Sequence, residues 1–200
     1  MALTFGGLLA AYVIGAIPVG LVVARVVAGT DIRRHGSGNV GATNVLRTLG
    51  PGAGVITLVG DVVKGYAAVS LAQAAGGAPE WAALGAVLAI VGNCWSVFLG
   101  FHGGKGVATG FGAFLALAPL ATAPAALVWA IVTATFRYVS LASIMACVGL
   151  PVGVALLGYS WPAVGAAVVA GVIIVYRHRP NLVRLMSGTE PRLGERASRA

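Results

Sequence analysis

The sequence predicts an all-α integral membrane protein of seven transmembrane helices, with its N-terminus outside and its C-terminus in the cytoplasm. Three observations lead there. Hydrophobic residues make up 58% of the 200 residues and charged residues only 9%, with a mean hydropathy of +0.94. A soluble domain carries about 25% charged residues, and no soluble core of this length absorbs so much Ala, Val, Leu and Gly. The 30 glycines suit membrane helices whose backbones approach closely. The 13 Lys+Arg outnumber 5 Asp+Glu, but the basic residues stand between or after apolar segments. That placement points to membrane orientation and anionic small molecules, not to nucleic acid.

A spanning helix needs about 20 apolar residues. By that measure the segments are 3–28, 52–76, 81–101, 107–120, 122–136, 139–158 and 161–177, forming one polytopic domain over 1–200. The first, Leu3 to Val27, has no basic residue before Arg25 and no cleavage site after a short apolar core, so it reads as a span and not a signal peptide. Between Val107 and Phe136, Pro119 and Pro124 favour a break into two helices, since each proline removes a backbone donor. Charge bias agrees. With two helices there, Arg33, Arg34, Arg47, Lys105, Arg137 and the arginine-rich tail share one side, and the opposite connections near 77–80, 119–124 and 158–162 carry no Lys or Arg. The loops 29–50 and 102–106, the Arg137-Tyr138 junction and the tail 177–191 then open to one compartment. Residues 193–200, polar and net basic, are expected to fray. Cys94 and Cys147 fall in apolar segments without companions at ligand spacing, so neither a disulfide nor a metal site is expected.

Two loops have the composition of phosphate sites. In the first, Gly36, Gly38 and Gly41 let successive N–H groups converge on an anion, Ser37, Asn39, Thr43 and Asn44 add neutral donors, and Arg47 adds a fork suited to phosphate oxygens. A passive turn needs neither four side-chain donors nor an arginine. The second loop, His102-Gly103-Gly104-Lys105-Gly106, sets a cation among glycines at the start of a helix, where the dipole favours an anion. It lacks the spacing of a nucleotide-binding P-loop.

Asp61 and Lys64 share a face of the second span as either a neutralising pair or a functional one. Ser140 is expected to bond the backbone one turn back. Arg177, Arg179 and Arg184 read mostly as headgroup anchors, and Glu190 as the acid that ties the tail to an arginine. His178 and Asn181 stand at the mouth of the last span, placed to orient a hydroxyl or a phosphate. His35 reads as loop surface, whereas His102 and His178 are each candidate bases.

GSGNVGATNVLR, HGGKG and RHRPNLVRLMSGTE, in that order, together with the DxxKG pattern at Asp61 to Gly65 and RYVSLAS at 137–143, resemble the motifs of the bacterial acyl-phosphate:glycerol-3-phosphate acyltransferase (PlsY) family, nearly end to end. The resemblance implies a seven-helix enzyme of the bacterial plasma (inner) membrane that uses no cofactor. Its substrates would be a fatty acyl phosphate and sn-glycerol 3-phosphate, its product lysophosphatidic acid, and its surroundings membrane lipids, with transient contact to the soluble enzyme that makes acyl phosphate. It implies activity roles for Ser37 and Arg47, glycerol 3-phosphate contacts for Gly103, Gly104, Lys105 and Gly106, roles for His178 and Asn181, a ligand contact for Ser143 and a structural role for Glu190. Ser37 is not read as a covalent nucleophile, since no triad-like His and acid accompany it and an acyl phosphate is already activated. A transporter of phosphorylated solutes is the rival class, and it is disfavoured because all the motifs open to one side.

Overall fold

The computed structural model describes residues 1–195, and every regular element among them is helical. The chain runs α1 (Ala2–Ala16), α2 (Val19–Ala28), α3 (Ala42–Leu49), α4 (Pro51–Gly76), α5 (Pro79–Cys94), α6 (Val107–Leu117), α7 (Pro119–Phe136), α8 (Val139–Leu156), α9 (Trp161–Arg177) and α10 (Arg179–Met186). Four helices are long and apolar enough to cross a membrane, α5 when counted through its 3-10 continuation to Leu99; α6 is shorter, and two bent pairs complete the set. Exposed Leu3, Phe5, Val59, Leu127, Val148 and Leu156 give the bundle the apolar exterior of a multi-pass membrane protein.

Three boundaries differ from those expected. The first span is broken, not continuous, because Pro18 has no N–H; α1 and α2 meet at 41°. The third segment leaves the α-helix at Cys94 and continues as a 3-10 turn at Val97–Leu99. The break after α6 falls at Ala118, before Pro119 and not after it, since proline at the first position of a helix forfeits no helical hydrogen bond. Tyr159 Oη accepts the otherwise free Leu120 N–H of α7 at 3.2 Å. Pro124 stays inside α7.

Small residues permit the close crossings. A side chain at Gly92 of α5 would overlap the Tyr12 carbonyl of α1, and one at Gly15 would overlap the Ala89 carbonyl. Likewise Gly65 of α4 lies against the Thr109 carbonyl of α6, and Gly112 of α6 against the Val62 carbonyl. In a bilayer such backbone contact does what burial does in water, because lipid is as apolar as the helix surface.

The tail is tied down further than expected. Leu193 donates its N–H to Arg137 O at 2.6 Å and accepts from Arg137 Nη2 at 2.6 Å, so 193–195 do not fray; residues 196–200 lie outside the described residues.

Gly92→Leu is expected to collapse the yield of monodisperse protein in detergent, since forced overpacking costs about 1–3 kcal/mol even where only side chains must move. Gly6→Leu, at a position with nothing within 4 Å, should melt as wild type does.

Candidate active site

One cavity of about 950 Å³ joins the predicted motifs. Its polar end is lined by Ser37, Thr43, Arg47, Lys105, His178 and Asn181, and its apolar end by Phe114, Ala125, Ala126, Cys147, Leu150 and Ile174. The helical spacing accounts for the groove. Thr122, Ala125, Ala126 and Trp129 recur at i, i+3, i+4 and i+7 along one face of α7, and Ser143, Ala146, Cys147 and Leu150 do so along α8.

The first loop is shaped from within. Asn44, 3% exposed, accepts Ser37 N–H at 2.9 Å through Oδ1 and donates through Nδ2 to the Asn39 carbonyl at 2.8 Å and the His35 carbonyl at 3.0 Å. Its amide is therefore committed to the loop, although it was expected to be a ligand donor. Asn39 likewise spends Oδ1 on Gly41 N–H at 2.8 Å. Gly36 adopts φ +57 where a side chain would collide with Asn44 Oδ1. Ser37, Thr43 and Arg47 remain along the cavity wall. Arg47 donates from Nη2 to the Pro191 carbonyl at 3.0 Å, while its Nε is buried with no partner among the described residues. A buried, unpaired guanidinium N–H beside a cavity is a donor that an anionic oxygen would satisfy. Burial lowers the Arg47 pKa, opposed by Glu190 and Glu195.

The second loop meets the tail. Lys105 Nζ donates to Asn181 Oδ1 at 2.6 Å, and Asn181 Nδ2 donates to Glu190 Oε1 at 2.6 Å. Glu190 also accepts from Ser140 Oγ at 2.6 Å and pairs through Oε2 with Arg184 Nε at 2.7 Å. Glu190 thus ties the tail to an arginine as expected, and it collects three donors. Burial opposes ionisation of Glu190, but the bonds from Ser140, Asn181 and Arg184 outweigh it and lower its pKa. Burial pulls Lys105 down to about 8, helped by the positive Arg184, Arg47 and Arg177 and resisted by Glu190. His178, 2% exposed, has Nδ1 at 2.7 Å from the Ile174 carbonyl. A carbonyl only accepts, so Nδ1 carries the proton and Nε2 is the free acceptor. Burial and then Lys105 push the His178 pKa down to about 4, which keeps the ring neutral near pH 7.

Several expectations need correction. Ser140 bonds Glu190 and not the preceding backbone turn. Ser143 lies on the cavity wall as expected, yet its Oγ donates to Val139 O at 2.7 Å and accepts Trp129 Nε1 at 3.2 Å. Gly38 and Gly103 are not among the residues lining the cavity, whereas Gly36, Asn39, Gly41, Gly104 and Gly106 are. His102 is exposed and bonded to Gly100 O, away from the cavity, so it is not placed as a base. His35 is exposed, as expected. Arg177 is no simple headgroup anchor, for it clamps the Gly103 and Gly104 carbonyls at 2.9 and 3.1 Å while lying over Trp95. Tyr138, of the Arg137-Tyr138 junction, also lines the cavity, and so do Asn93 and Trp129, which had not been singled out. Only their position within apolar stretches marked them.

Fold and site together define a helical membrane protein in which two cationic loops and an apolar groove line one cavity. The family model described as glycerol-3-phosphate acyltransferase matches residues 5–188. The chain is 49% identical over 185 residues to the glycerol-3-phosphate acyltransferase of Desulforudis audaxviator, covering 92% of this chain and 93% of that one. It is 52% identical over 190 residues to glycerol-3-phosphate acyltransferase 2 of Moorella thermoacetica, covering 95% and 97%. The crystal structure of PlsY (YgiH), an integral membrane glycerol 3-phosphate acyltransferase, superposes in its glycerol 3-phosphate form with a TM-score of 0.91 at 38% identity, covering 96% of each chain. The lysophosphatidic acid form gives 0.87 at 36% identity, covering 96% of this chain and 95% of that one. The chain belongs to the glycerol-3-phosphate acyltransferase (PlsY) family.

Glu190→Ala is expected to destabilise the detergent-solubilised protein by about 1–3 kcal/mol or more, because it strands buried donors on Ser140 and Asn181. The sign of the pH dependence follows from the lowered pKa. The stabilisation from Glu190 is complete above its usual 4.5 and is lost as pH falls through the lower folded value. Wild type should therefore lose thermal stability on acidification below that point, and Glu190→Ala should lose less.

Proposed function

We propose that the protein transfers a fatty acyl group from acyl phosphate to the 1-hydroxyl of sn-glycerol 3-phosphate, giving lysophosphatidic acid and phosphate, the first acylation of phospholipid synthesis. The observation that carries this reading is the single cavity, with two cationic loops at one end and an apolar groove at the other. Each substrate has a phosphate, and only one has a long alkyl chain. The first loop and Arg47 hold the acyl-phosphate group and stabilise the oxyanion; the orphaned Arg47 Nε supports that assignment. Lys105, with Asn181, holds the acceptor's phosphate and brings its hydroxyl to the acyl carbonyl; Ser143 lines the wall with its proton given to Val139 O.

In the reaction the glycerol oxygen forms a bond to the carbonyl carbon, and the bond from that carbon to the phosphate oxygen breaks. Inorganic phosphate departs with the electron pair. The hydroxyl proton passes to a base, either His178 or the acceptor's own phosphate. His178, with a pKa held near 4, is the weaker base, whereas a phosphate monoester has a second pKa of about 6. That comparison favours the phosphate as proton acceptor, with His178 Nε2 accepting a hydrogen bond that orients the hydroxyl. Phosphate is a stable leaving group, so no acyl-Ser37 intermediate is needed. On this reading the chain makes seven crossings if each bent pair and α6 count as one, with the motif loops in the cytoplasm, where a soluble acyl-phosphate-forming enzyme delivers its product.

The test is phosphate release by the purified protein in lipid with palmitoyl phosphate and glycerol 3-phosphate. Wild type should require both substrates; Arg47→Ala should raise KM mainly for the donor and Lys105→Ala mainly for the acceptor, each cutting kcat/KM by about 100-fold or more. Wild type that releases no phosphate on adding acceptor overturns the reading. Because Lys105 is charged only below its pKa of about 8, kcat/KM for glycerol 3-phosphate should fall as pH rises through that value. Lys105→Arg, charged throughout, should remove that alkaline limb even where its absolute rate is lower.

A further inference from the structure

Asp61 lines the same cavity, yet neither it nor Lys64 has a part in the chemistry just described, and the surroundings of the pair assign it a task. The break between α1 and α2 strips the Ala16 and Ile17 carbonyls of helical partners. Ser96 Oγ donates to the first at 2.6 Å, and Lys64 Nζ donates to the second at 2.7 Å. Lys64 gives its other two N–H groups to Asp61 Oδ1 at 2.7 Å and to Asn93 Oδ1 at 2.9 Å. Its three donors are then all used. The space between these groups is about 10 Å³, room for one water at most, so the cluster is not a second ligand site.

A pair that served only to neutralise α4 within the membrane would need Asp61 and nothing more. Asn93 is the informative partner. Its main-chain carbonyl, not the side-chain oxygen that Lys64 holds, accepts Gly104 N–H at 2.9 Å, one residue before Lys105. The turn sits so closely on Asn93 that a side chain at Gly103 would overlap its carbonyl, and one at Gly104 would stand 2.8 Å from Nδ2. Arg177 holds the carbonyl side of the same turn from the opposite direction. The turn is therefore gripped between α5 and the end of α9, and on the α5 side the grip ends in Lys64.

We propose that Lys64, held by Asp61 and the Ile17 carbonyl, is a positioning residue that fixes Asn93 and through it the Gly103-Gly104 turn, setting Lys105 for the acceptor's phosphate. This rests on the assignment of Lys105 to glycerol 3-phosphate. The same cluster ties the α1–α2 break to the turn, and α2 in turn lies against the first loop, where a side chain at Gly20 would overlap the Val40 carbonyl.

The experiment compares wild type, Asn93→Ala and the double variant Asp61→Asn with Lys64→Met, each purified in lipid. The double variant leaves no unpaired buried charge, and Asn93→Ala leaves the ion pair intact should the double variant not fold. Affinity for sn-glycerol 3-phosphate is measured by titration calorimetry without donor, alongside the KM of each substrate. Both variants should bind glycerol 3-phosphate about tenfold more weakly and raise its KM to match, as when support is removed from a preorganised site, with the donor KM within about twofold of wild type. A merely structural role would lower the active fraction, and so kcat, with both KM values unchanged. Folded variants that bind glycerol 3-phosphate as wild type does overturn the proposal, and Asn93→Ala binding in that way is enough to overturn it without the double variant. Wild type that does not bind glycerol 3-phosphate instead overturns the acceptor-site assignment, and the proposed role of Lys64 falls with it.

Discussion

The hydrogen bond from Lys105 Nζ to Asn181 Oδ1, 2.6 Å long, is the contact on which the remaining arrangement turns. It brings a loop after the third segment against the helix after the last, and it continues through Asn181 to Glu190. From Glu190 the chain of bonds divides to Ser140 at the start of α8 and to Arg184 on α10. Helices α8 and α10 thus meet at one carboxylate of the tail, and the Lys105 loop reaches it through Asn181. Desolvation of Lys105 is tolerable because Asn181 accepts from it and Glu190 lies close by with opposite charge, while the neighbouring arginines keep the site net positive. That balance leaves a positive potential beside the cavity without Lys105 pairing directly with its counter-ion.

A membrane-embedded site has to satisfy its backbone as well as its charges. Three interruptions of the helices are met by side chains: Lys64 and Ser96 at the α1–α2 break, Tyr159 at the start of α7, and Arg177 at the turn before Lys105. Bilayer hydrocarbon supplies no such partners, so irregular backbone survives only where protein provides them. Of these interruptions, only the turn before Lys105 lines the cavity. Regular helices build the apolar groove, and the two motif loops with the tail build its polar end.

The sequence was legible wherever the determining forces are local. Apolar length located the segments, proline marked breaks, and the clustering of glycine, hydroxyl and cationic residues marked both anion loops. Ser37, Thr43, Arg47, Lys105, His178, Asn181 and Glu190 all line one cavity. The reading erred over partners. Ser140 was expected to bond its own helix but bonds Glu190, 50 residues away. Arg177 resembled a lipid anchor but clamps a loop 73 residues earlier. Asn44 resembled a ligand donor but organises its own loop, because an amide with both donor and acceptor can close several backbone contacts at once.

By itself, then, the sequence determined the class of protein, the approximate segments and the chemical character of each loop, since these depend on hydropathy, turn propensity and charge within a few neighbouring residues. Only the tertiary structure decided which groups remain free to meet a ligand and which are consumed in holding the site together. The Arg47 guanidinium reaches a carbonyl 144 residues along the chain while its Nε stays unpaired. No periodicity or spacing encodes such a pairing, because it is fixed by how the helices cross and where their breaks fall.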